Sequence, residues 1–474
     1  MTESMTPNAI LERISKLLEG YLERQKTGPF VDYHSPEALF QLIEPTRETA
    51  QNDWDALFSW VKHYLDYAVN TGHPGFVNRM WSDANLPSIV GEIVTALTNT
   101  SACTYESAPV STLFEKVMIG EMLKLAGFEA GEGQMTSGSS NANMIAMMVA
   151  RDQIDRTIRR TGLFSQRPLV AFVGAESHYS MDKAAAILGL GTDHLVKIPL
   201  DQHGRMQLEE LEKQIHIVKE QGGIPFFVGA TAGTTVRGAF DPIADLARLR
   251  DRCPFWLHVD GAWGGATVLS PGLKEQFMHG LEKVDSFTFD FHKMPGTNLI
   301  CNILLMNGRK GALRQSCAIG DDSYIFRPAS KAEEYNLGSF SLQCGRRVDA
   351  LKWFLDWKFY GQSGFAGRIE HYLQLSKYAE EVVEKTDELE MVTPRESFNV
   401  CFRFQPPYGI EANDFNLKLR TRLYHQAIAL IGFGYIGSDL CLRLLITDPD
   451  TTRQDIEQIF LDIVRTGNAL LEDL

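Results

Sequence analysis

Between about residue 90 and residue 310, short apolar runs bounded by Gly, Pro or Asp alternate with longer stretches of helical periodicity. This alternation limits the fold more than any other feature of the chain. The runs are Leu169–Val173, Pro225–Gly229, Trp256–Val259, Ser286–Phe289 and Ile300–Met306, with helix-like segments such as Asn143–Arg160 and Leu208–Gln221 between them. Strands this apolar are buried on both faces, so the pattern predicts an α/β domain with a largely parallel sheet covered by helices. The chain's 474 residues exceed what one core usually holds. The reading divides it into an N-terminal helical segment (1–89), a large α/β domain (90–365) and a small α+β C-terminal domain (366–474). In the first, Ile10, Ile14, Leu17 and Leu18 share a helix face, and Leu57, Trp60, Val61, Tyr64 and Leu65 recur at helical spacing. In the last, strands are expected at Phe398–Phe404 and Leu440–Ile446, then a helix from Arg453.

A net charge of -14 argues against non-specific binding to nucleic acid or an anionic membrane, without excluding a local basic pocket. The seven cysteines are scattered, with neither C-x-x-C nor zinc-site spacing, so free thiols, a reducing compartment and no metal are expected. No run approaches the roughly 20 apolar residues of a membrane span. The segment MTESMTPNAILERISKLLEG lacks the basic region and apolar core of a secretory signal. The cytoplasm is the expected location.

Ligands of open α/β sheets bind at the carboxyl ends of strands, so the residues there carry the chemistry. Asp260 closes the run 255–259, and Lys293 follows the run 286–289 by a few residues. A lysine at a strand end can bind an aldehyde cofactor covalently, and a carboxylate there can pair with a protonated pyridine nitrogen. Thr136–Asn143 (TSGSSNAN) opens a helix with small and hydroxylic residues, which suits a phosphate. His178 and Thr231 each follow or end a further strand. Singly, each motif also reads as an ordinary helix cap or turn. Five in succession are not explained by turns alone.

The order TSGSSNAN, ESHYS, ATAGTT, HVDGAWGG and DFHKM resembles the group II pyridoxal-5′-phosphate (PLP)-dependent amino-acid decarboxylases. Gly72–Pro74, Thr104–Glu106, Ala108–Val110 and Gln343–Asp349 look like its glutamate and cysteine sulfinate decarboxylase branch. The resemblance implies a type I PLP-dependent transferase (aspartate aminotransferase-like) fold and a homodimer. It implies that Lys293 carries the cofactor, Asp260 pairs with the ring nitrogen and His178 stacks on the ring. Ser139 and Ser140 would hold the phosphate with help from His292, while Thr231 and Ala262 line the ring. Arg443, in Cys441–Leu445, looks like the arginine that grips the substrate carboxylate.

Three departures from the family pattern stand out. Asp290–Phe291 replaces the usual Asn-Pro before His-Lys, adding a negative charge beside Lys293. The segment Arg327–Gly338 is about one residue short, and its Tyr335 lies nearer a later family tyrosine than the one that reprotonates the product carbon. The stretch Phe76–Ser82 places Asn78, Arg79 and Trp81 at substrate-facing positions, where Trp81 shortens the pocket and Arg79 can grip a distal anion. The expected activity is decarboxylation of an acidic L-amino acid (aspartate, cysteine sulfinate or glutamate). Two alternatives stay open: a decarboxylating aldehyde synthase or transaminating enzyme, and an inactive PLP-binding partner protein.

Overall fold

The computed structural model describes residues 5–43, 52–81, 83, 85–164, 167–318, 320, 323–326 and 333–473. Its strands are β1 (Phe76–Val77), β2 (Glu132–Thr136), β3 (Leu169–Gly174), β4 (Leu195–Ile198), β5 (Ile224–Thr231), β6 (Trp256–Asp260), β7 (Ser286–Asp290), β8 (Asn302–Met306), β9 (Leu389–Met391), β10 (Val400–Phe404), β11 (Leu430–Ile436) and β12 (Asp439–Leu444). The chain forms two compact units. One comprises Met1–Asp83, Leu375–Thr393 and Val400–Leu474; the other comprises Ala84–Gln374 and Pro394–Asn399.

The larger unit is built on a seven-stranded sheet of order β2-β8-β7-β6-β5-β3-β4. Strands β4, β3, β5, β6 and β7 run parallel, while β8 is antiparallel to both β7 and β2. All five expected apolar runs are strands here. Their apolar side chains make them buried throughout, as a two-faced central sheet requires. The helix Ser139–Ile154 buries Ile145, Ala146, Met147 and Val149 in one core cluster with Phe226, Phe227 and Leu304. The expected helix Asn143–Arg160 is broken. Asp155 is extended and its carboxylate accepts the Thr157 N–H at 2.8 Å, a turn that competes with the helix and leaves Ile158–Thr161 as a separate piece.

The smaller unit holds a five-stranded sheet of order β1-β11-β12-β10-β9. Strand β1 pairs parallel with β11, through Phe76↔Leu430 and Val77↔Ile431; the remaining pairings are antiparallel. The helix Arg453–Glu472 starts at a Thr452/Asp455 capping box and buries Ile456, Ile459, Phe460 and Ile463. On the helix Trp54–Tyr67 the expected positions Leu57, Trp60 and Tyr64 are exposed and Val61 and Leu65 are half-buried, whereas Phe58, outside the expected set, is buried. No helix among the described residues is long and apolar enough to cross a membrane, and all seven cysteines are free.

Candidate active site

In the larger unit, β5, β6 and β7 end side by side at Thr231, Asp260 and Asp290. Parallel neighbours present their carboxyl ends at one edge, so this order alone collects polar side chains there. Asp260 is 4% exposed. Its Oδ1 accepts the Ala262 N–H at 3.0 Å, and its Oδ2 accepts the Asn143 amide N–H at 2.8 Å. Both donors are neutral, so the buried carboxylate keeps its charge available for a cationic ligand.

Lys293 lies in the connection between β7 and β8. Its Nζ is 3.1 Å from Asp290 Oδ2, so the acid that departs from the family pattern faces the lysine directly. The amide nitrogen of Asn302, at the start of β8, lies 2.6 Å from Asp290 Oδ1 and 2.9 Å from Ser139 Oγ. It thereby ties the lysine turn to the start of the helix Ser139–Ile154. His292 is buried, with Nδ1 2.9 Å from the Cys301 carbonyl oxygen.

His178 follows β3, and its Nδ1 accepts the Ser180 N–H at 3.2 Å. Burial holds the imidazole below its ordinary range; the charges of Asp260, Lys293 and Asp290 also act on it. His178, Asp260, Lys293 and Asp290 therefore share one neighbourhood, with Ser139 joined to it through Asn302. Ala262 bonds Asp260, and Thr231 is its register partner on β5. Ser140 is exposed on the first turn of the helix.

These residues fit a PLP molecule. The helix Ser139–Ile154 begins at Gly138 (φ 124°), with no side chain capping its first N–H groups. An uncapped helix start beside two serines suits a phosphate. A buried carboxylate with neutral donors suits a pyridinium, a lysine just past the adjacent strand suits an aldehyde, and a neutral imidazole suits stacking.

Sequence reasoning passed over Asn143, His258 and Asn302. The signal was present. On β6 the residues Trp256, His258 and Asp260, and on β7 the residues Ser286, Thr288 and Asp290, recur at period two inside buried strands. Such alternation puts all six on one face. His258 Nδ1 lies 2.8 Å from Ser286 Oγ, and His258 Nε2 lies 2.9 Å from Asn143 Oδ1. Outside this region Glu212, His216 and Cys253 come within 4.8 Å of one another, which their spacing does not reveal, but Glu212 is already paired with Arg252.

The expected substrate residues lie in the smaller unit. Arg443 on β12 is buried, and its Nη2 donates to the Asn78 carbonyl at 2.9 Å. Gly432 of β11 makes room for this contact. A Cβ there would meet Asn78 Oδ1 at 3.1 Å and Arg443 Nη2 at 3.2 Å. Arg79 is exposed. Its charge adds to burial in lowering the pKa of both Arg443 and Arg420. Trp81 is half-buried against Phe76, with ring centroids 5.6 Å apart. Ser82 and Arg327–Ala332 lie outside the described residues. Tyr335 packs its ring on Tyr105, centroids 5.7 Å apart, in the larger unit.

Comparison with known proteins agrees with this geometry. Residues 36–405 match the pyridoxal-dependent decarboxylase conserved domain. The chain is 34% identical over 454 residues to cysteine sulfinic acid decarboxylase of Rattus norvegicus, covering 93% of this chain and 91% of that protein. It is 32% identical over 451 residues to acidic amino acid decarboxylase GADL1 of Xenopus tropicalis, covering 93% and 88%. A crystal structure of mouse CSAD in apo form superposes with a TM-score of 0.93 at 31% identity, covering 97% of this chain and 98% of that one. The strand-end residues and these likenesses lead to one conclusion: the chain belongs to the family of pyridoxal-dependent decarboxylases.

Proposed function

We propose that this PLP-dependent carboxy-lyase converts a short acidic L-amino acid, aspartate or cysteine sulfinate in preference to glutamate, into its amine and CO2. One observation carries the reading of the chemistry: a buried carboxylate, Asp260, at the end of β6 and a lysine, Lys293, just past the end of the adjacent β7. The acidic substrate is supported by the names of the relatives and by Arg79, Arg420 and Arg443.

When bound, the cofactor supplies an electron sink for the pair left behind as CO2 departs. Lys293 would hold it covalently through Nζ. Asp290, whose Oδ2 lies 3.1 Å from Nζ, would orient the lysine amine. Asp260 keeps the ring nitrogen protonated. His178, neutral because it is buried, covers the ring without adding a charge that opposes Asp260's partner. Ser139, Ser140 and His292 hold the phosphate, and Thr231 and Ala262 line the ring. Arg443 takes the α-carboxylate, Arg79 the distal anion, and Asn78 and Trp81 bound the side-chain space.

The test is CO2 release from a panel of L-amino acids, with amine, ammonia, aldehyde and peroxide measured together. Aspartate or cysteine sulfinate should give the highest kcat/KM, with one amine per CO2. A preference for an aromatic or basic amino acid would sink the acidic reading, and aldehyde with peroxide would turn it into an aldehyde synthase.

A homodimer is part of the proposal. Leu86, Val90, Ile93 and Leu97 form an exposed stripe on the helix Leu86–Thr98, from 48% to 69% accessible. An apolar stripe of that length is characteristic of a covered face. Val90→Glu with Leu97→Glu should yield monomers in sedimentation; an unchanged dimer would place the interface elsewhere. The free thiols support a cytoplasmic location.

A further inference from the structure

We propose that His258 and Asn143 are positioning residues for this reaction: a one-way chain of hydrogen bonds through them fixes Asp260 and sets how strongly it holds the proton on the cofactor's ring nitrogen. The inference rests on Asp260 facing that nitrogen, as proposed above.

The chain runs from Trp256 to Asp260. Trp256 Nε1 donates to Ser286 Oγ at 2.8 Å; Ser286 Oγ meets His258 Nδ1 at 2.8 Å; His258 Nε2 meets Asn143 Oδ1 at 2.9 Å; and Asn143 Nδ2 donates to Asp260 Oδ2 at 2.8 Å. Its two ends dictate its direction. A carboxylate only accepts, so Asn143 must turn its NH2 toward Asp260 and its oxygen toward His258. His258 must then carry its hydrogen on Nε2 and accept at Nδ1 from the Ser286 hydroxyl. That hydroxyl is free to donate because the indole N–H, which can only donate, fills its acceptor side. The second hydrogen of the Asn143 amide goes to Ser180 Oγ at 2.9 Å, so the amide has a single satisfied orientation. Asn143, His258 and Ser286 are wholly buried, so no water competes for these bonds. Burial drives the His258 pKa down to about 3, consistent with a permanently neutral ring. Neutral hydrogen bonds in series polarise one another, so the strength of the bond reaching Asp260 depends on groups two residues away along β6.

The test is reconstitution of the apoenzyme with PLP and with 1-deaza-PLP, in which carbon replaces the ring nitrogen. The affinity ratio of the two isolates what Asp260 contributes at that atom. Asn143→Ala and His258→Phe should shrink the ratio by roughly tenfold, the scale of one hydrogen bond to a charged group. His258→Gln offers an N–H and an acceptor at matching ends, and should restore most of it. In the loaded enzyme kcat should fall with KM little changed. Ser286→Ala, a milder change at the far end, carries the test if His258→Phe does not fold. A ratio unchanged in Asn143→Ala and Ser286→Ala overturns the relay while leaving Asp260 in place. A ratio unchanged in Asp260→Ala overturns the assignment of Asp260 itself, and the relay with it.

Discussion

In the seven-stranded sheet, the side chains assigned to the cofactor come from consecutive strands and from the turns that follow them. In the five-stranded sheet, Arg443 reaches the Asn78 carbonyl across 365 residues of sequence, and a Cβ at Gly432 would crowd both partners. The first region collects its chemistry by local topology, because each parallel strand delivers its last residue to the same edge. The second builds its arginine contact by pairing distant segments. Cofactor chemistry and substrate selection should therefore be separable by mutation.

The largest expected effect lies in the first region. Lys293→Ala should lower turnover by about a thousandfold or more, as loss of a covalent group does, and should abolish the borohydride-reducible cofactor adduct. An adduct retained by the variant would place the attachment elsewhere.

Arg443→Gln should break the second region alone. Removing one charge-assisted anion contact costs about 1.5–3 kcal/mol, so kcat/KM should drop by about ten- to a hundredfold. The absorbance of the bound cofactor should stay as in the wild type. A variant that also loses cofactor would erase the proposed division of labour.

Trp81→Ser sharpens the same division. If the indole fills space that one more methylene needs, the aspartate-to-glutamate ratio of kcat/KM should fall by about tenfold, within the 1–3 kcal/mol that a methylene commands in a closed site. An unchanged ratio would mean that Trp81 serves only to pack on Phe76.

A further effect concerns stability. His258 takes a proton near pH 6.5 when unfolded and only at about 3 when native. Between those values the unfolded chain binds the extra proton, so this group's contribution to stability is lost as pH falls, by up to about 1.4 kcal/mol per pH unit. Asp241 and Asp356, raised by burial from 3.8 to about 6, act with the opposite sign in that range. The comparison of wild type with His258→Gln isolates the histidine: denaturant titrations from pH 6.5 to 4.5 should show a flatter loss in the variant. Parallel curves would mean that His258 is charged in the native state.

The two regions also differ in how far the sequence discloses them. The strands β3, β5, β6, β7 and β8 were legible as short apolar runs, and three of them, β5, β6 and β7, end on polar residues at the candidate site, Thr231, Asp260 and Asp290. Once the strands are placed, Asp260 and Lys293 stand at or just past strand ends, and the resemblance to the family adds the roles expected of them. Asn143 was read only as the last residue of the motif that opens a helix, without a role of its own, and His258 was passed over as part of an apolar run, although its period-two spacing with Trp256 and Asp260 marked it. The pairing of β1 with β11 left no local trace, since a two-residue strand has no periodicity. The directions of Arg79 and Trp81 depend on that pairing. The break at Asp155 was a local competition between a side-chain turn and the helix, which apolar spacing does not report.

The hairpin of β7 and β8 has a consequence for how the chain assembles. Asp290 and Asn302, which frame Lys293, are 12 residues apart, whereas Thr136 on β2 meets the same Asn302 across 166. Closing a loop costs entropy that grows with the logarithm of its length, so the contact near the lysine forms at about 2 kcal/mol less than the one at the sheet's outer strand. The lysine thus belongs to the pairing with the shortest loop in the seven-stranded sheet, and its geometry does not wait on the closure of the longest loop in that sheet.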